Sequence, residues 1–350
     1  MKNILFLTIG KNEPSTRFRI LPFIPFLEKA GWRCTVWHKW PSYGSWLYAE
    51  GRSLKARIYQ LLGMSVTLPR ILTASNFDLV FLQRRLPGLL YPPFLERILK
   101  QIGHRVVYDF DDAIYLGSRA DLSFREIIRF SDQIIAGNSH LSNIADSSSK
   151  TTVIPTPVDT DRFQPSSKGT FSNKNTLIIG WTGTAANYQY LYPLASTLRK
   201  VVERFPDTIL KIICDKPPDI GLLSGLEVRF VCWQANIEVD QLQDIDIGIM
   251  YLPDNPFTRG KCGFKLIQYM SLAKPVVASP VSANLEIVNH GVNGYLAATM
   301  EDWYKYIIRL LGDAQLRATM GYEARETIEK KFSVRSCFPK LEAVFQRALT

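Results

Sequence analysis

Apolar residues in the first 165 positions gather into short runs, ILFLTIG, CTVW, DLVFLQ, RVVYDF and QIIAG, each flanked by polar or turn residues. Several lack the alternation of a half-buried strand, which is the pattern of strands covered on both faces. Helix-like segments such as Ser15 to Ala30 and Pro87 to Ile102 lie between them. This succession of strand and helix predicts an α/β fold with a parallel, doubly wound sheet. The second half repeats the pattern with TLIIGW, TILKIIC, EVRFVCW and the run from Asp244 to Ile249. It closes on helical segments over Met300 to Leu311, Asp313 to Lys331 and Ser333 to Leu349. Between the halves, Ser166 to Asn175 is polar and glycine-containing, as a linker is. The expected organisation is two Rossmann-like domains, 1–165 and 166–332, and a terminal helix over 333–350. In open parallel sheets ligands bind at the carboxyl ends of strands, so the residues just after each strand matter most.

The richest stretch runs from Thr258 to Pro280, TRGKCGFKLIQYMSLAKPVVASP. It reads as a turn containing Gly260 and Gly263, a short helix, a break at Ala273-Lys274-Pro275 and a buried strand through Val276 and Val277. Phe264, Ile267 and Met270 form an apolar stripe. Lys261, Lys265 and Gln268 form a second, polar one. A helix start free of bulky Cβ atoms lets backbone N–H groups approach an anion closely, and Arg259 and the two lysines add full charges. That is a site shaped for a diphosphate, with an amide further along for a hydroxyl. An amphipathic helix with solvated lysines is the plainer alternative, and the two glycines, the arginine and the following strand weigh against it.

Composition narrows the classes. The chain is 350 residues long and 46% hydrophobic, enough for two cores, and no apolar run reaches membrane-spanning length. Its N-terminus reads as a first strand rather than a signal peptide. Cys34, Cys214, Cys232, Cys262 and Cys337 are scattered without a CxxC pair, so neither a zinc site nor a disulfide framework is expected. Free thiols fit a reducing cytoplasm. The net charge of +10 is uneven: residues 1–165 hold 21 Lys and Arg against 14 Asp and Glu, a surplus of 7. A basic first half suits an anionic lipid surface or an acidic acceptor. No nucleic-acid-binding module accompanies it. From Trp40 to Arg70, Trp46, Tyr48, Leu54, Ile58, Leu61, Leu62 and Met64 are interspersed with Arg52, Lys55 and Arg57. Such a stretch suits a membrane interface, or equally a packed helix with a charged outer face.

The Thr258 to Pro280 stretch resembles the donor-sugar motif of the retaining glycosyltransferases called family 4. That family runs from a Glu, through seven residues, to a second Glu, and on to Gly-Lys-Pro-Val-Val. Its Phe-Gly pair falls on Cys262-Gly263 and its Lys-Pro-Val-Val on Lys274 to Val277. Its two acids fall on Gly260 and Gln268, so both are missing. The resemblance continues through Glu286-Ile287-Val288 and Gly291-Val292-Asn293-Gly294. A weaker match is the Ile154-Pro155 to Val158-Asp159 segment. It implies two Rossmann-like domains facing across a cleft, the GT-B fold, with the last helix crossing back to the first domain. It also implies transfer of a sugar from a nucleotide diphosphate sugar to an acceptor hydroxyl, with retained configuration and no cofactor. Acceptors of cell-surface glycan or lipid-linked type are expected, at the cytoplasmic face of the membrane.

On that reading Arg259, Lys261, Gly263 and Lys265 hold the diphosphate. Gly183 and Thr184 offer further donors, although the Arg and Lys usual in that loop are absent. Gln268 meets the ribose and Trp233, directly after a strand, can stack on the base. A side chain after the fourth strand faces the sugar in the family, and Asp109 or Asp111 takes that place here. Arg17 and Arg84 are candidates to line the site for a phosphate or an acidic acceptor. Asp109-Phe110-Asp111-Asp112 looks like a metal motif out of context, but the surrounding pattern does not support it and no metal is expected. A binding protein of the same fold without turnover and a nucleotide-sugar epimerase are the rivals. A dinucleotide oxidoreductase is disfavoured because no GxGxxG follows the first strand.

Overall fold

The computed structural model describes residues 2–38, 54–73, 76–86, 92–146, 148–166 and 176–350. The chain divides into two units. The first comprises Met1–Pro157, Gly260–Cys262 and Cys337–Thr350; the second comprises Val158–Arg259 and Gly263–Ser336.

In the first unit β1 (Lys2–Thr8), β2 (Trp32–His38), β3 (Leu79–Gln83), β4 (Val106–Phe110), β5 (Gln133–Ala136) and β6 (Thr151–Val153) form one sheet. The order is β2-β1-β3-β4-β5-β6 and every pairing is parallel. All residues of β3 and β4 are buried, which is why those runs lack alternation. Strand order reverses between β1 and β3, so the crevice for a ligand lies at their carboxyl ends. The terminal helix Val334–Leu349 sends Phe345 onto the rings of Trp32 and Phe81, with centroids 5.6 Å and 5.9 Å away.

In the second unit the strands are β7 (Leu177–Thr182), β8 (Thr208–Cys214), β9 (Glu227–Cys232), β10 (Ile247–Met250), β11 (Val276–Ala278) and β12 (Tyr295–Leu296). Their order is β12-β11-β10-β7-β8-β9, again wholly parallel. The reversal here falls between β7 and β10.

Several boundaries differ from those expected. The first unit ends at Pro157 rather than at 165. Residues 158–165 belong to the second unit because Arg325 donates to the carbonyls of Thr160, Phe163 and Ser271. The expected helix from Ser15 to Ala30 is two helices, Pro14–Arg19 and Ile24–Lys29, with a 3-10 turn Leu21–Phe23 between them. Pro22 and Pro25 lack the N–H a continuous helix would need. The linker from 167 to 175 lies outside the described residues, as do Trp46, Tyr48 and Arg52 and the side chains of Leu54, Lys55 and Arg57.

Candidate functional site

The carboxyl end of the first sheet gathers charges from three strands. Asp109, the last-but-one residue of β4, is 1% exposed. Arg19 lies against it, with Nε 3.2 Å and 3.1 Å from its two oxygens and Nη2 bonding Oδ1. The Nη1 of the same guanidinium donates to the Ile154 carbonyl at 3.0 Å and to Thr156 Oγ1 at 3.2 Å. Burial would lower the pKa of Arg19, but the charge and hydrogen bonds of Asp109 raise it. Burial pushes the Asp109 carboxyl up, and the Arg19 charge and hydrogen bond oppose that. Asp109 is thus buried against Arg19 rather than open at the surface of the sheet. Arg19 was not singled out from the sequence. It sits two residues beyond Arg17, which is half-buried with its guanidinium carbon 4.9 Å from the Phe18 ring centroid.

Asp111 is the more accessible of the pair, its side chain 10% exposed. Arg84 reaches Oδ1 with Nε at 2.9 Å and Nη2 at 2.8 Å, and the Ser15 hydroxyl donates to Oδ2 at 2.6 Å. Burial would raise the Asp111 pKa; Arg84, Arg19 and Ser15 together hold it below the ordinary carboxylate value. Asp112 lies 3.7 Å from the same Arg84. Arg84 follows β3 directly and has φ +52°, a left-handed conformation rare for a side chain of this size. Such strain persists only where surroundings fix it, here by the Arg84 N–H on the Asp109 carbonyl at 2.8 Å. Among the described residues no group of three or more His, Cys, Asp or Glu could hold a metal ion.

Gly260 and Lys261 belong to this unit, not to the helix after them. A Cβ at Gly260 would stand 2.6 Å from Ala113 Cβ and 2.8 Å from the Ala113 nitrogen. Any side chain there is excluded by backbone, so the acid that the family carries at this place cannot be accommodated. The Lys261 carbonyl accepts from Asn138 Nδ2 at 3.1 Å. Its expected place on a polar helix stripe is corrected, because the helix starts at Phe264, after Gly263 at φ +65°. The helix Phe264–Ser271 keeps only Lys265 and Gln268 of that stripe.

In the second unit Gly183 follows β7, at the switch point of the sheet. A Cβ there would meet Lys265 Nζ at 2.6 Å and the Trp181 ring at 2.8 Å, so the missing side chain is what lets the ammonium in. Lys265 Nζ stands 4.1 Å from the Trp181 ring centroid, a cation–π contact. Trp181 is in turn stacked on Tyr188, centroids 5.2 Å apart. Three amides of this stretch are already engaged within the unit. Thr182 N–H donates to Tyr269 Oη at 2.8 Å, Gly183 N–H to the Ile213 carbonyl at 3.1 Å and Ala185 N–H to Asp215 at 2.8 Å. Thr184 is exposed and its hydroxyl accepts from Asn187 Nδ2 at 2.8 Å, leaving its own hydrogen to donate.

Three residues further along the helix, Gln268 is 5% exposed and its Nε2 donates to Glu238 Oε1 at 3.1 Å. The Trp233 indole N–H donates to the same oxygen at 3.3 Å. Glu238 thus joins two residues chosen from the sequence, and nothing in its local pattern singled it out. Arg259 is engaged bidentately by Asp254, at 2.6 Å and 2.9 Å, in an exposed pair. Solvent screens such an exposed pair, so a stronger anion could displace it.

Residues 176–313 match the family described as glycosyl transferases group 1. An 86-residue segment is 34% identical to an uncharacterized glycosyltransferase of Methanocaldococcus jannaschii, covering 24% of each chain. The chain thus spans about a quarter of that relative's length. Among solved structures, a glycosyltransferase from Rickettsia africae superposes with a TM-score of 0.75 at 14% identity, over 100% of this chain and 99% of that one. The HepE protein of Anabaena, solved with UDP and glucose, gives 0.68 at 17% identity, over 99% and 100%. At these identities the likeness is one of fold: two Rossmann-like units with parallel sheets, the GT-B class.

Proposed function

We propose, from a glycosyl transferases group 1 domain over residues 176–313, that this chain transfers a sugar from a nucleotide diphosphate sugar to an acceptor hydroxyl. The observation that carries the reading is the Lys265 ammonium held over Trp181 in the space left by Gly183. A cation there, beside the switch point of the sheet, would meet the charge that a leaving diphosphate gains as the sugar bond breaks. Stabilising that charge is the main task, since a preorganised cation needs no reorganisation at the moment of reaction. The N-terminal turn of Phe264–Ser271, entered through Gly263, adds backbone donors. Thr184 supplies a hydroxyl, and Arg259 joins if it exchanges Asp254 for phosphate. The leaving phosphate oxygen takes the acceptor proton on the same face, which retains the configuration and asks no side chain to act as base. No bound metal is required on this reading, because fixed cations neutralise the diphosphate. In the first unit Asp111 remains the group to face the sugar, with Arg84 and Arg17 beside the acceptor.

UDP is the first nucleotide to try, since HepE was solved with UDP and with UDP-glucose. A thermal-shift series with UDP-, GDP- and TDP-sugars should raise the melting temperature for one base. Ligand at 100 times Kd stabilises by about 2.7 kcal/mol. Consumption of that donor should persist after dialysis against EDTA. No shift with any of the three would overturn the donor-site assignment, and loss of activity in EDTA restored by manganese would overturn the metal-free mechanism. Absence of both family acids, at Gly260 and Gln268, favours one second reading, a nucleotide-sugar-binding protein without turnover. A labelled product decides between the two.

The acceptor we propose is lipid-linked or membrane-proximal, met at the cytoplasmic membrane face. Among the described residues no helix is long and apolar enough to cross a membrane. On the helix Leu54–Leu72, however, Ile58, Leu61, Leu62 and Val66 are exposed on one face. Together with the basic first half this suits reversible binding to an anionic surface. Sedimentation with anionic vesicles at low salt, but not at high salt or with neutral vesicles, is the expected result. Equal failure with both vesicle types would point to a soluble acceptor.

A further inference from the structure

We infer that Glu238 is a positioning residue that turns the Gln268 amide so that its oxygen, not its nitrogen, meets a ribose hydroxyl. The inference rests on the nucleotide reading of the second unit. Glu238 opens the helix Glu238–Gln243 and is 4% exposed. Its Oε1 accepts from Gln268 at 3.1 Å and from Trp233 at 3.3 Å, and its Oε2 lies 3.6 Å from Arg162 Nη2. The Trp233 N–H and the Arg162 guanidinium both face this carboxylate, which therefore accepts, so the group of Gln268 that meets it must be the amide NH2. The usual ambiguity of a glutamine's two ends is therefore removed by chemistry. Among the described residues nothing donates to Gln268 Oε1, and it is not among the buried side-chain atoms left without a partner.

Lys265 and Gln268 are three apart on one helix, hence neighbours on one face. A phosphate held at Lys265 places the sugar attached to it within reach of Gln268, where an acceptor oxygen meets a hydroxyl. A 2′-deoxy or 3′-deoxy sugar would leave that oxygen unpaired. Burying a carboxylate is costly unless partners offset it. Apolar packing would not need that cost, whereas a fixed amide orientation does.

The test is calorimetric titration with UDP, 2′-deoxy-UDP and 3′-deoxy-UDP, or the matching set for whichever base the thermal screen selects. The wild-type protein should bind at least one deoxy form about three- to tenfold more weakly, as the loss of one neutral hydrogen bond implies. Glu238→Ala should still bind UDP through Lys265 but lose the preference. The exchange variant Glu238→Gln with Gln268→Glu restores a carboxylate–amide pair with the acid now facing the ribose, and should recover the preference. That recovery is what a merely structural role for Glu238 would not give. If Glu238→Ala does not fold, the exchange variant alone decides. Equal affinity for all three ligands in the wild type, a preference kept in Glu238→Ala, or none in the exchange variant overturns the inference. If no ribonucleoside diphosphate binds the wild type at all, the nucleotide reading falls and takes this inference with it. If UDP binds without preference, only the inference falls.

Discussion

At the carboxyl end of the first sheet the arginines meet carboxylates, Arg19 on Asp109 and Arg84 on Asp111. At the same end of the second sheet, Lys265 meets the ring of Trp181. Both sets sit where strand order reverses, so topology gives them equal claim to a ligand. What differs is how the charge is met. A carboxylate neutralises a guanidinium, and the Asp109 pair is almost wholly shielded from water. An aromatic face attracts an ammonium without cancelling its charge. The same architecture therefore yields carboxylate-braced arginines in one unit and a ring-held lysine in the other. Gly183 and Gly260 make the same point: one leaves room for a cation, the other is closed by Ala113.

The strongest way to break this comparison is at the buried pair. Removing one partner of a buried, hydrogen-bonded ion pair typically costs about 3–5 kcal/mol, because the other charge is left stranded. Arg19→Ala should lower the urea midpoint accordingly, while nucleotide affinity in the surviving folded protein changes little. An Arg19→Ala protein as stable as wild type would show that this end is not braced as described. Next in size is Lys265→Ala. A charge-assisted hydrogen bond contributes roughly 1.5–3 kcal/mol, so nucleotide diphosphate affinity should fall about ten- to a hundredfold. The melting temperature should hardly move, since Lys265 leans on a ring that is already packed against Tyr188. Unchanged affinity would return Lys265 to an ordinary surface lysine and erase the contrast between the two units.

Much of the fold was readable because buried parallel strands announce themselves as unbroken apolar runs. β6 and β12, at three and two residues, are too short to do so. The site was readable where its residues are close in sequence: Lys265 and Gln268 share one helix. Periodicity placed Lys261 on the same stripe, but it cannot show where a helix begins, and Gly263 at φ +65° begins it later. Partners far apart in sequence left no local signal. Arg19 and Asp109 are 90 positions apart and Glu238 and Gln268 are 30 apart. In each case the sequence showed one member and the fold supplied the other.

The gentlest probe separates the units by acid. Asp111 has its pKa held below the ordinary value, burial opposing and Arg84, Arg19 and Ser15 prevailing. A carboxylate whose folded pKa lies below its unfolded one adds stability above the unfolded pKa, about 3.9. That stability is lost as pH falls through the folded pKa. Its side chain is 10% exposed, against 1% for Asp109, so water already screens part of the interaction and the effect should be smaller than at Arg19. Urea midpoints of wild type and Asp111→Asn should differ at pH 7 and converge as the pH is lowered from about 4. The difference between the two proteins isolates Asp111 from the other carboxylates that titrate in the same range. Any acid-linked loss assigned by this difference therefore belongs to the first unit. Parallel curves from pH 7 downward would mean that Arg84 gains nothing from Asp111 in the folded state. The ion pair would then be incidental to stability.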